Sequence, residues 1–206
     1  MPVVCVIEEK PKIFNLLKKI LTVKNSEKNI FLCGNLDFSI DIRKYINENG
    51  VIIFKFINPF FLHGLIKNEQ KPLIDLVVFG ERSNFKNSVD ISRLGNIKSV
   101  LLNIENSNGL NYLNQDVQII TCGLKEKDTV IFSSINLDEK NVILDLQRSV
   151  KNIKDEIIEP FEKPIDISPV VNSVKNAVKK EELKKNIFTT EDLILALMTL
   201  TLCDRL

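Results

Sequence analysis

NIFLCGNLDFSIDI, residues 29–42, is the stretch on which the fold turns. Ile30, Phe31, Leu32 and Cys33 form a short apolar run that stops at Gly34-Asn35. From Ser39 onward Ile42, Tyr45 and Ile46 recur at helical spacing, up to the stop signal Asn49-Gly50. The pattern reads as strand, tight turn and helix. In an α/β protein that binds nucleotides, backbone N–H groups at such a helix N-terminus cradle phosphates. Gly34, Asn35 and Ser39 are therefore the candidate ligand-binding residues, although the full set of residues that task calls for is missing from the turn.

Outward from this stretch, apolar runs alternate with helical patterns. Val3 to Ile7 reads as a short strand or an ordered lead-in, and Pro11 suits the first turn of a helix whose apolar stripe is Ile13, Phe14, Leu16, Leu17, Ile20 and Leu21. Lys12, Lys18, Lys19 and Lys24 are expected on its solvated face. Downstream, VIIFKFI (51–57), IDLVVF (74–79), SVLLNI (99–104) and VQIIT (117–121) are strand-like runs. Short helices are expected over Phe60–Lys67 and Asn108–Leu113. That alternation argues a mostly parallel sheet with crossover helices.

Past Gly123 the pattern changes. TVIFSSIN (129–136) and VILDLQRSV (142–150), joined by Leu137 to Asn141, predict a hairpin that adds an antiparallel edge to the sheet. Asn152 to Ile167 is polar, holds Pro160 and Pro164, and reads as a surface connection. Ser168-Pro169 starts a helix with an apolar face of Val170, Val171, Val174, Ala177 and Val178, and Thr189 to Asp192 caps a last one, Leu193 to Cys203. The last helix is apolar nearly all round, as expected of one buried in a core or against a partner. The expected architecture is one three-layer α/β domain over residues 1–206. Residues 1–28 form an N-terminal extension in this reading, and residues 151–206 a connection and C-terminal helices.

Composition excludes several classes. A formal net charge of +1 in 206 residues provides no global field for nucleic acid or a membrane surface. The mixed-charge run Lys179 to Lys185 reads as a solvated helix end. Leu193 to Leu202 is roughly half of what a spanning helix needs. Cys5, Cys33, Cys122 and Cys203 show no CxxC spacing and no signal peptide precedes them, so buried thiols in a reducing, cytoplasmic setting are expected. His63 lacks partners for a metal site or triad. Glu8-Glu9 and Asp155-Glu156 read as surface charge. Arg82, Lys86 and Arg93 could form an anion site. Phe54, Phe56, Phe60 and Phe61 read as core or interface rather than a stacking platform for bases, which would need a positive groove.

SVLLNIENSNGLNYL, VQIITCGL and TVIFSSINLDEKNVILDL, within Ser99 to Val150, resemble the central ATP-binding domain of the Mur ligase family. They match its strand ending in Asn-x-Asp-Asp-x-Asn, its V-x-T-Y-G-L strand and its antiparallel excursion. LILALMTLTL falls where that family has the helix closing the domain. The resemblance implies a P-loop-type topology and sets LCGNLDFSI on the family's T-G-T-N-G-K-T-T phosphate loop.

Against that pattern, Asp37 stands for a glycine and Phe38 for the phosphate lysine. A carboxylate repels polyphosphate, and Phe offers no donor or charge. Ser39 matches the Mg²⁺-binding Thr but is equally a helix cap. Gly80 stands where the family has a metal-holding Glu, with Glu81 one position late. Asn103, Glu105 and Asn106 match the Asn-x-Asp-Asp pattern only in part, and the flanking substrate domains are missing. The expectation is a non-catalytic, Mur-ligase-like binding or scaffolding module without cofactor, acting on a protein partner or on itself. The alternative is a reduced enzyme or sensor that takes ATP/Mg²⁺ or another phosphate ligand at Gly34 to Ser39.

Overall fold

β1 (Val3–Ile7) runs through the middle of a six-stranded parallel sheet. The computed structural model describes residues 2–8, 10–23, 30–33, 51–56, 73–80, 96–103, 117–136, 138–171 and 188–204. The other strands of this sheet are β2 (Ile30–Cys33), β3 (Val51–Phe56), β4 (Leu73–Phe79), β5 (Asn96–Leu102) and β6 (Gln118–Thr121), in the order β2-β3-β1-β4-β5-β6. β1 pairs Val3 to Ile52 through Ile7 to Phe56 on one side, and Val4 to Leu76 through Ile7 to Phe79 on the other. Val4, Cys5, Val6 and Ile7 are fully buried, as a strand covered on both faces must be.

Residues 1–28 contribute to this core. They carry the central strand and α1 (Lys12–Val23), whose Ile13, Phe14, Leu16, Leu17, Ile20 and Leu21 are buried as their spacing predicts. Lys18 is exposed as expected. Lys12 instead turns inward, with a side chain only 12% exposed and paired to Asp192.

The predicted hairpin forms, but not as an edge of the parallel sheet. β7 (Val130–Asn136) and β8 (Asn141–Leu146) belong to a separate antiparallel sheet, ordered β11-β8-β7, with β11 (Phe161–Asp166) as its third strand. One bridge, Cys122 to Val130, joins the end of β6 to the start of β7. Gly123 follows it, where a Cβ would fall on the Asp128 carboxylate. The supposed surface connection, Asn152 to Ile167, therefore holds β11 and β10 (Ile157–Ile158), which forms a small ribbon with β9 (Val150–Lys151) just before it. Pro164 fits because β11 is an edge strand, where a missing N–H breaks no ladder.

α2 (Thr190–Leu202) packs on α1, β5 and β7. Asp192 to Leu200 and Leu202 are all buried, which explains a helix apolar nearly all round. Its threonines are accommodated by back-bonding: Thr199 Oγ1 donates to Leu195 O at 2.7 Å and Thr201 Oγ1 to Leu197 O at 3.1 Å. Residues of α1, α2, the parallel sheet and the antiparallel sheet share one apolar cluster.

Candidate functional site

From β1 the chain goes to β2 and β3 on one side of the parallel sheet, then to β4, β5 and β6 on the other. β1 and β4 are therefore adjacent strands whose connections diverge. In open α/β sheets the crevice at the carboxyl ends of such a pair is where ligands bind. Here it is formed by Ile7-Glu8 and Phe79-Gly80, with Gly80 N donating to Ile7 O at 2.9 Å.

α1 starts at this point and needs its first N–H groups satisfied. Pro11 is its N-cap, since Pro11 O accepts from Asn15 N at 3.2 Å, and Pro11 has neither an N–H nor a side-chain acceptor. Glu8, three residues upstream, supplies the acceptor instead. Ile13 N donates to Glu8 Oε2 at 2.8 Å and Phe14 N to Glu8 Oε1 at 3.0 Å. Lys12 N donates to Lys10 O at 2.7 Å. Every N–H of the first turn thus ends on the chain's own oxygens. The carboxylate sits where a bound anion would draw on the same donors and the same helix dipole.

The N-terminus of α2 meets this turn. Thr189 and Asp192 form a reciprocal capping box: Thr189 N donates to Asp192 Oδ2 at 2.7 Å and Asp192 N to Thr189 Oγ1 at 3.2 Å. Asp192 Oδ2 also lies 3.6 Å from Lys12 Nζ. Glu8 and Asp192 are each 2% exposed. Burial pushes the Glu8 carboxyl up to about 7; the Phe14 and Ile13 N–H groups and the Lys55 ammonium oppose that shift, and the Asp192 carboxylate adds to it.

Glu8, expected on the surface, is thus the best-placed functional group found, and its position corrects that expectation. Glu9 lies outside the described residues, as do Gly34, Asn35, Asp37, Phe38, Ser39, Phe60, Phe61, His63, Glu81, Arg82, Lys86, Arg93, Glu105 and Asn106. In the sequence Gly34 comes directly after β2, an edge strand, rather than after β1 at the divergence of the connections. Asp155 is exposed as expected and pairs with Lys98 at 2.9 Å. Cys5, Cys122 and Cys203 are buried. Burial, with Asp75 and Asp128 respectively, pushes the Cys5 and Cys122 thiols up, away from nucleophilic character. Among the described residues no three His, Cys, Asp or Glu side chains gather as a metal site, and no helix is long and apolar enough to cross a membrane.

The signal for Glu8 was in the sequence. An apolar run ends at Ile7, a helical stripe begins at Ile13, and the cap position between them is a proline. A proline cap leaves two donors in need of an acceptor from elsewhere, and Glu8 is a carboxylate within reach.

No family model matches the sequence, and no curated protein does. Among solved structures the chain is similar to two crystal structures of MurF from Acinetobacter baumannii. Identities are 10% and 11%, 95% and 96% of this chain is covered, and TM-scores are 0.43 and 0.44. The chain spans 45% of each MurF chain. The likeness is one of outline.

Proposed function

We propose that this protein is a non-catalytic module of Mur-ligase-like build that acts by binding a protein, a second copy of itself included, and has given up nucleotide chemistry. One observation carries the reading: the helix N-terminus at the divergence of the sheet is filled by Glu8, with no first-turn N–H left over. An incoming phosphate would have to displace a buried carboxylate and would meet Asp192 as well. The sequence departures at Asp37 and Phe38 run in the same direction, since losing even one preorganised donor to a developing negative charge costs about 10²–10³-fold in rate.

The second reading, a sensor or reduced enzyme that binds ATP/Mg²⁺ or another phosphate ligand at Gly34 to Ser39, rests on Gly34 following a strand of the parallel sheet at its carboxyl edge. Isothermal titration with ATP and Mg²⁺ separates the two. The first reading expects no binding heat and no metal-dependent phosphate release. Saturable heat abolished by Ser39→Ala would overturn it in favour of the second.

A further inference from the structure

The antiparallel sheet buries one face and leaves the other open. Val142, Leu144 and Leu146 of its central strand β8 are fully buried in the cluster they share with α2. Asn141, Ile143 and Asp145 alternate with them on the opposite face and are only half-buried. Strand pairing sets two rows across that open face: Ile131, Asp145 and Glu162, then Ser134, Ile143 and Pro164. Asp145 and Glu162 are directly opposite each other, with Cβ atoms about 5 Å apart in such a pair, and like charges so placed destabilise a sheet. Neither row contains a lysine or arginine. Gln147, the next outward position after Asp145, holds the loop at the end of this face: with its amide turned to donate, Nε2 reaches Glu126 O at 2.8 Å and Asp128 O at 3.1 Å. The loop carries Leu124, 60% exposed, and exposed Lys125 and Lys127, and Arg148 beside Gln147 is exposed too. None of Asp145, Glu162, Lys127 and Arg148 makes an ion pair to another described residue.

We propose that this open face pairs with the same face of a second copy of the chain, the basic rim of each copy lying over the acidic row of the other. The inference rests on the reading above, that the protein acts by binding, and names the partner. Charge complementarity carries it. An acidic row and a basic rim on one surface are a self-complementary patch, because a two-fold axis sets each against its counterpart twice. A lysine or arginine from the second copy also relieves the repulsion between Asp145 and Glu162, while Leu124, Ile131 and Ile143 supply apolar contact. Pairing through the sheet's edges is disfavoured instead, since Pro164 interrupts β11 and a bulge after Phe132 distorts β7. Area sets the strength. Three strands about 4.8 Å apart, rising about 3.4 Å per residue over the length of β8, present about 300 Å² of face, short of the about 800 Å² per partner of a standard stable interface. The dimer is therefore weak and sensitive to salt, not obligate.

The test is sedimentation equilibrium of the intact protein from about 10 µM to about 1 mM, at low and at high salt. A reversible dimer with a Kd of about 10⁻⁴ M is expected at about 50 mM salt, weakened at least about threefold at about 500 mM. Two double variants read the surface: Asp145→Lys with Glu162→Lys, and Lys127→Glu with Arg148→Glu. Each should be monomeric alone, and an equimolar mixture of the two should dimerise, because opposite charges then meet at both contacts. Should either variant fail to fold, amide shifts on concentrating the unaltered protein decide: changes confined to residues 124–127, 131, 143–148 and 162 support the pairing. Changes centred on other residues, a dimer that survives either double variant, or folded variants that stay monomeric when mixed would overturn it. A monomer at every concentration would overturn it as well, while leaving the wider reading to a different, basic protein partner. Saturable ATP heat alongside an intact dimer would instead remove the loss of nucleotide binding from that wider reading and leave the pairing in place.

Discussion

Glu8 and Gly80 stand so close at the ends of β1 and β4 that a Cβ on Gly80 would lie 2.8 Å from the Cβ of Glu8 and 3.1 Å from Ile13 Cδ1. The obstacle is the root of a side chain, not its flexible end. A residue larger than glycine at 80 must therefore push β1's end or the capping turn aside. Gly80→Ala is expected to lower stability by about 1–3 kcal/mol, the usual cost of overpacking. Chemical denaturation compares the two proteins, and an unchanged midpoint would show that the turn yields freely.

Stability should depend on pH through the same carboxyl. A folded value of about 7, above the ordinary value of 4.5, means that the folded state holds the proton more tightly. The stabilisation is fully present below about 4.5 and is lost as pH rises through 7, amounting to about 3 kcal/mol at most. The difference in unfolding free energy between the protein and Glu8→Gln should thus change across pH 5–7 and stay constant above 8. A constant difference throughout would mean that Glu8 titrates as an exposed carboxylate.

The strands were legible because buried parallel strands leave continuous β-branched runs: β3, β4, β5 and β6 fall within a few residues of where VIIFKFI, IDLVVF, SVLLNI and VQIIT place them. The central strand was harder to rank. VVCVI is as apolar as the others, but EEKPK after it has no glycine, so the Gly34-Asn35 pair that follows IFLC in the sequence draws the site to a sheet edge. Strand order is set by tertiary pairing and leaves no mark within a single run. β11 was missed because Glu162, Lys163, Pro164 and Asp166 are exposed, and on its inner face Lys163 sits between half-buried Phe161 and buried Ile165, leaving no clear alternation. An edge strand of that kind looks like a polar loop.

The capping box gives a local test of α2. Thr189 Oγ1 accepts from Asp192 N at 3.2 Å, and Asp192 also holds Thr189 N and Lys12. Thr189→Ala should cost about 0.5–2 kcal/mol, with Thr189→Ser largely restoring it. Thermal melts of the three proteins check this, and equal stability of the Ala and Ser variants would show that the hydroxyl contributes nothing.

The last expectation concerns α2 as a whole. It is enclosed by α1, β5 and β7, and Leu193, Ile194, Leu195, Leu197, Met198, Leu200 and Leu202 are each at most 5% exposed. Each such side chain is worth about 1.5–3 kcal/mol of burial, so their sum reaches the whole stability of an ordinary domain, about 5–15 kcal/mol. Removing residues 189–206 should therefore abolish cooperative unfolding, and Leu197→Ala alone should cost about 2–5 kcal/mol while the fold survives. The two variants make a graded test by calorimetry and gel filtration. A truncated protein that still melts cooperatively and elutes as a compact monomer would show that the two sheets and α1 close a core without α2.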